Sequence, residues 1–174
     1  VTTGYRSPRL LESADDVSGF VCRSAAQTRW LRRFARQAHA TGTTRVFVVT
    51  PADSAEVVAY YAWCMASISP SDAPDRLRVG AGKYPQPVAL LARLGVSTSH
   101  EGQGLGAGLL ADVMRRASAA GRTIGCWGLL IHAESDDARA FYLHLIPEFE
   151  HSPTDPLHLL LMMKDIRRTG SASG

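Results

Sequence analysis

Cysteine is scarce in this chain. Its three, Cys22, Cys64 and Cys126, are odd in number, far apart and without a C-x-x-C pair. That argues against a disulfide framework or a thiolate zinc cluster and points to a reducing cytoplasm. Long apolar runs are also missing: the longest, near Val88 and Leu157, are strand-sized, short of the ~18 residues of a membrane span. No membrane partner is expected. The first residues lack the basic–apolar–small order of a secretory signal, so a cytoplasmic protein is expected. Several catalytic classes lack their motifs: no G-x-x-x-x-G-K for a P-loop, no G-x-G-x-x-G for a dinucleotide, no G-x-S-x-G for a serine nucleophile. His39, His144, His151 and His158 have no metal-ligand spacing, and no metal is expected.

Acid is missing from two long stretches. Between Val17 and Ala52 stand six arginines (Arg23, Arg29, Arg32, Arg33, Arg36, Arg45) and no Asp or Glu. From Arg76 to His100 there are four basic residues and again no acid. Residues 17–100 hold ten basic and four acidic side chains, a balance of +6, whereas residues 101–174 hold seven and nine, a balance of −2. Such a field attracts phosphates, so a polyanionic partner is expected.

What is present is a mixed α/β order. Ser24–Ala40 has the apolar spacing of a helix and stops at Gly42. Arg45–Thr50 and Glu56–Ser67 are β-rich segments around Pro51–Ser54, the pattern of an antiparallel hairpin. Ser69–Pro87 carries four prolines and is expected to be irregular. Val88–Ser97 is a strand, Gly104–Ala120 a helix with Leu105, Leu109, Val113 and Ala117 every four residues, Thr123–His132 a strand, Ala133–Leu145 a helix and Leu157–Lys164 a last strand. The order predicts a mixed, mostly antiparallel sheet with helices on both faces, in one domain over residues 1–168 with a flexible tail over 169–174.

The strongest local signal is Glu101-Gly102-Gln103-Gly104-Leu105-Gly106-Ala107-Gly108, which follows a strand and opens a helix. Glycines there let the backbone approach a ligand, and the first turn of a helix offers unpaired N–H groups and a positive dipole end. A strand, glycine turn and helix hold phosphate without charged side chains.

This segment resembles the coenzyme-A signature of the GNAT acetyltransferase superfamily: Gln or Arg, two residues, Gly, one residue, then Gly or Ala. Gly104 and Gly106 fit, and Glu101 replaces the Gln or Arg. The resemblance implies acetyl-CoA as cofactor, with its pyrophosphate on the amides of Gln103, Gly104, Gly106 and Ala107. It places Leu94, Gly95 and Val96 on the strand that pairs with the pantetheine arm. Further on, Ala138-x-x-Phe141-Tyr142 resembles the pattern closing the superfamily's cofactor site, which implies Tyr142 as general acid to the departing coenzyme A thiolate. Ser135 stands where the family commonly has Asn, and Leu145-Ile146-Pro147-Glu148-Phe149 replaces a familiar Gly-Phe. Phe141 is expected to be a core aromatic.

A narrower resemblance runs from about Val17 to Arg168. Trp30-Leu31-Arg32-Arg33, Ala73-Pro74-x-Arg76-Leu77, Pro87-Val88-x-x-Leu91-Ala92-Arg93-Leu94 and Phe149-Glu150-x-Ser152-Pro153-x-Asp155-Pro156-Leu157 are similar to the TacT-type toxins that acetylate aminoacyl-tRNA. The resemblance implies acetyl transfer to the free α-amine of an amino acid esterified to tRNA, which blocks translation. It also implies a ribbon-helix-helix antitoxin through which DNA is contacted, and a homodimer. Arg29, Arg32, Arg33 and Arg36 are the expected tRNA-facing cluster, extended by Arg78, Lys83 and Arg93. No general base is assigned among His100, Glu101 and His132. Two other readings fit the same motifs: a GNAT enzyme acting on a small amine or protein N-terminus, and a degenerate GNAT that serves only as a binding module with an antitoxin.

Overall fold

A computed structural model describes residues 4–80 and 82–171. The chain forms two compact units, one from the chain up to Cys64 with Ala92–Asp112, the other from Met65–Leu91 and the chain from Val113 onward. The strand order is β1-β2-β3-β4-β5-β7-β6, for β1 Arg9–Leu10, β2 Arg45–Val49, β3 Ala59–Ile68, β4 Gln86–Val96, β5 Gly128–His132, β6 Glu150–His151 and β7 His158–Met162. The β4–β5 pair is parallel, and β1–β2, β2–β3, β5–β7 and β6–β7 are antiparallel. No helix among the described residues is long and apolar enough to cross a membrane.

In the first unit, Ser24 caps α1 (Ala25–Arg33) by accepting the Gln27 N–H at 3.1 Å. The single helix expected over Ser24–Ala40 is broken at Phe34, where φ reaches −118° before α2 (Ala35–Ala40) begins. Arg36, just inside α2, donates to the backbone carbonyls of Glu12 and Asp15. Arg9 in turn pairs with the Asp15 carboxylate, which also accepts the Glu12 N–H at 2.7 Å. Burial would raise the Asp15 carboxyl, but these bonds outweigh it and hold it below the usual carboxylate range. The core gathers Phe20, Leu31, Val46, Val48, Val57 and Tyr60, with Trp30 packed against it. Trp30 stacks on Tyr60, and the Tyr60 hydroxyl donates to the Gln27 carbonyl at 2.9 Å.

In the second unit, the proline-rich stretch is less irregular than expected. A 3-10 turn at Pro70–Asp72 leads into α3 (Asp75–Arg78), and Ala73 and Leu77 join Ile68, Val88, Leu130 and Leu160 in a core. Arg76 pairs with Glu150. The last strand ends at Met162, earlier than expected, and the chain turns into α6 (Met163–Ser171), with Met163 and Ile166 buried. Helix therefore covers Thr169–Ser171, where a flexible tail is expected, and 172–174 lie outside the described residues.

His132 and His158 stack at the ends of β5 and β7, ring centroids 3.8 Å apart, with Asp155 Oδ2 3.4 Å from His158 Nε2. Burial and the charge of His158 lower the His132 pKa, outweighing Asp155. The folded state thus favours neutral His132. Its contribution to stability is present above the unfolded pKa of about 6.5 and is lost as pH falls through the lower folded value. The thermal midpoint should drop between pH 7.5 and 5, and His132→Asn should flatten that drop. Parallel curves for the two proteins would show that the pair is not the source.

Candidate active site

The β4–β5 ladder covers Val88–Leu91 and stops there, while β4 continues through Leu94 and Gly95 to Val96. A 3-10 turn (Thr98–His100) then leads to Glu101 and the glycines, and α4 runs over Leu105–Ala120. Gly102 and Gly104 both have φ of +74°, a conformation only glycine adopts without strain. A Cβ built at either would meet nothing within 4 Å, so what demands glycine here is the backbone path, and the space beside the turn is open. The first intrahelical bond is Gly108 N–H to the Gly104 carbonyl at 3.0 Å. The N–H groups of Leu105, Gly106 and Ala107 precede it, as an anion site requires. Gly95 serves another purpose: its Cβ would lie 2.9 Å from the Tyr60 ring and 3.4 Å from Phe20. It lets the strand lie against those two rings.

Glu101 is not bare. Arg23 donates through Nε to Oε1 at 2.8 Å and through Nη2 to Oε2 at 2.7 Å. The other two candidates for a base, both histidines, are also engaged. The Tyr5 hydroxyl and His100 Nδ1 share a hydrogen bond of 2.8 Å, and His132 lies against His158.

Tyr142 lies on α5 (Asp136–Leu145), in the second unit. Ser135 caps that helix by accepting the Ala138 N–H at 3.2 Å, so the residue that departs from the family pattern has a local role. Tyr142 is buried at 6% exposure, and Phe141 packs edge-on to it. Burial, then the charge of Glu134, pushes the Tyr142 phenol far above its ordinary range. It stays protonated at any physiological pH. Ile146 and Phe149, within the segment that replaces Gly-Phe, are both buried.

The arginines separate into two kinds. Arg23, Arg29, Arg32 and Arg33 line one open groove of about 810 Å³, together with Val17, Val21 and Cys22. Arg36 is held on the Glu12 and Asp15 carbonyls. Arg78 donates to the Ala73 and Ser71 carbonyls and pairs with Asp75. Arg93 lies 4.8 Å over the Trp30 ring and donates to Gln27 Oε1 at 3.3 Å. Lys83 is exposed on the loop ahead of β4. Arg23 was not among the expected site residues; its partner is 78 positions away, and no local pattern reveals such a pair. Among the described residues no group of three His, Cys, Asp or Glu could hold a metal ion.

A strand that outruns its ladder leads here into a glycine turn and a helix start, the arrangement expected of a GNAT acetyltransferase. No protein-family model matches the chain. Curated relatives do. The tRNA-acetylating toxin of Mycobacterium tuberculosis (strain ATCC 25618 / H37Rv) is 43% identical over 165 residues, 95% of this chain and 96% of the relative. The probable toxin TacT of Sinorhizobium fredii (strain NBRC 101917 / NGR234) is 27% identical, over 91% of this chain and 93% of its own. Among solved structures, AtaT complexed with acetyl-methionyl-tRNAfMet superimposes with a TM-score of 0.85 at 23% identity, covering 94% of this chain and 98% of AtaT. AtaT has also been solved with its antitoxin AtaR and acetyl-CoA, and as the AtaT–AtaR complex on DNA. The chain belongs to the family of TacT-type, tRNA-acetylating toxins.

Proposed function

We propose that this protein moves the acetyl group of acetyl-CoA onto the free α-amine of an aminoacyl-tRNA and so blocks translation. The observation that carries the reading is the groove lined by four arginines, in a segment without acid, of a chain 43% identical to a tRNA-acetylating toxin. Acetyl-CoA supplies an acyl carbon already activated as a thioester. The turn suits its pyrophosphate: open space beside Gly102 and Gly104, and helix N–H groups beyond them. The amine needs little help. An α-amine has a pKa of about 8, and esterification of its carboxyl lowers it further, so much of it is already neutral. Its nitrogen attacks the acyl carbon, the C–S bond breaks, and Tyr142 gives its proton to the leaving sulfur. The amine proton passes to solvent, and solvent returns one to the Tyr142 oxygen, so no net proton is consumed. By the same family reading, the protein acts in the cytoplasm as a homodimer. A ribbon-helix-helix antitoxin holds it in check and contacts DNA; AtaT has been solved bound to its antitoxin AtaR, and the AtaT–AtaR complex on DNA.

Mass spectrometry of charged tRNA after incubation with the protein and acetyl-CoA tests the reaction. The expected product carries one acetyl on the amino acid. Acetylation of free amines or peptide N-termini with charged tRNA untouched would favour the small-amine enzyme, and no transfer at all the binding module.

The groove makes a second prediction. Neutralising Arg29, Arg32 and Arg33 together should weaken association with charged tRNA and flatten its salt dependence, by roughly 0.7 to 0.9 in log–log slope per lost phosphate contact. Arg36→Ala should instead lower thermal stability and leave the slope alone, because its guanidinium is held on backbone carbonyls. Filter binding across a salt series separates the two; identical slopes for wild type and the triple variant would remove the groove from the tRNA interface.

A further inference from the structure

Glu101 sits at the start of the turn, three residues ahead of Gly104, where the family pattern has Gln or Arg. A bare carboxylate there would repel a pyrophosphate. Arg23, from the segment ahead of α1, meets it in a forked pair: Nε to Oε1 at 2.8 Å, Nε to Oε2 at 3.1 Å and Nη2 to Oε2 at 2.7 Å. Two parallel N–H···O bonds fix both the distance and the orientation of such a pair. The Arg23 side chain is 83% exposed and that of Glu101 33%, so the pair adds little to folding stability. Its significance is its place. Arg23 is one of six arginines in a stretch with no acid of its own, and its carboxylate partner comes from the glycine turn.

We infer that Arg23 is a positioning residue for the cofactor: it neutralises and orients Glu101 and so supplies, from elsewhere in the chain, the positive charge that the turn lacks. The inference rests on the reading of the turn as the pyrophosphate site. It explains how the chain carries an acid at this position and still binds a polyanion. It also makes the two residues interdependent, so that losing the arginine alone is worse than losing both.

A calorimetric cycle with acetyl-CoA tests this, using wild type, Arg23→Ala, Arg23→Lys, Glu101→Gln and the Arg23→Ala/Glu101→Gln double variant. A carboxylate released beside a doubly charged pyrophosphate amounts to about a tenfold loss of affinity even at the dielectric of water. Arg23→Ala should therefore weaken Kd about tenfold, and the loss should shrink in ~0.5 M salt. Arg23→Lys keeps the charge and should retain most of the affinity. Glu101→Gln should bind as wild type or tighter, and the double variant should return to within about twofold of wild type, as coupled neighbours do in such cycles. Wild-type affinity in Arg23→Ala would overturn the inference. So would equal losses with Glu and with Gln at position 101, which would mean that Arg23 does not act through the acid. Gly104→Val in the same series keeps the two readings apart. If it binds as wild type, the turn is not the cofactor site; if it abolishes binding while Arg23→Ala changes nothing, only the role of Arg23 falls.

Discussion

Replacing Tyr142 by Phe should lower kcat by about 100- to 10,000-fold, the usual range for a general acid. The Kd for acetyl-CoA should hardly move. Only the hydroxyl is removed, and the ring keeps its buried place against Phe141. On the proposed role the lost interaction forms late, when the sulfur departs with its electron pair; a loss confined to turnover is the signature of that timing. The raised phenol adds a condition on pH. Burial and Glu134 keep Tyr142 protonated throughout the range in which the enzyme can be assayed. The wild-type rate should then rise with pH as the substrate amine loses its proton and should not fall again from titration of the tyrosine. Wild-type turnover in Tyr142→Phe would leave Tyr142 as a core aromatic. A descending limb that vanishes in the variant would contradict a phenol with so high a pKa.

Gly128→Ala should cost about 3 kcal/mol of stability or more, at the top of the range for overpacked sites. A Cβ there would lie far inside van der Waals contact with the Leu161 carbonyl oxygen and 3.3 Å from Met162 Cα, both backbone atoms of β7. Backbone cannot rotate aside as a side chain can, so the β5–β7 pairing from Gly128–Met162 to His132–His158 must open at one end. For a chain of this size that corresponds to a fall of roughly 6–12 °C in the thermal midpoint. Gly125→Ala, three residues earlier, is the control: a Cβ there meets nothing within 4 Å, and its midpoint should stay near wild type. Equal midpoints for the two variants would show that the strands can accommodate the methyl.

Much of this could be read from the sequence because it is local. The four-residue spacing of Leu105, Leu109, Val113 and Ala117 marks α4, and the glycines ahead of it announce a turn that side chains would strain. The strands β2 and β3 follow from their β-branched and aromatic residues. What escaped is long-range or short. The two-residue strands Arg9–Leu10 and Glu150–His151 are too brief to carry a period. The apolar run through Met163 looks like one strand, yet the chain turns into a helix there, with Met163 and Ile166 three apart on its buried side. The arginines show the limit most clearly. Arg33 and Arg36 stand on neighbouring turns and are alike in sequence, but one lines the groove and the other is bonded to carbonyls. Side-chain type fixes the charge; only the fold decides where the guanidinium is spent.

The grip of Arg36 on Glu12 and Asp15 has a consequence for how this segment can change over generations. A guanidinium bonded to carbonyl oxygens recognises the path of the chain and is indifferent to the side chain at that position. Glu12 contributes its carbonyl to Arg36 and its N–H to Asp15, both main-chain groups, and its own side chain is exposed. Position 12 is therefore open to drift, while Arg36, which has no equivalent donor of the same reach and fork, is not. In a library covering every substitution, the row for position 12 should be nearly filled and the row for position 36 nearly empty, although the two residues are joined by a hydrogen bond. The chain path around Arg36 would then persist in descendants whose first residues no longer look alike.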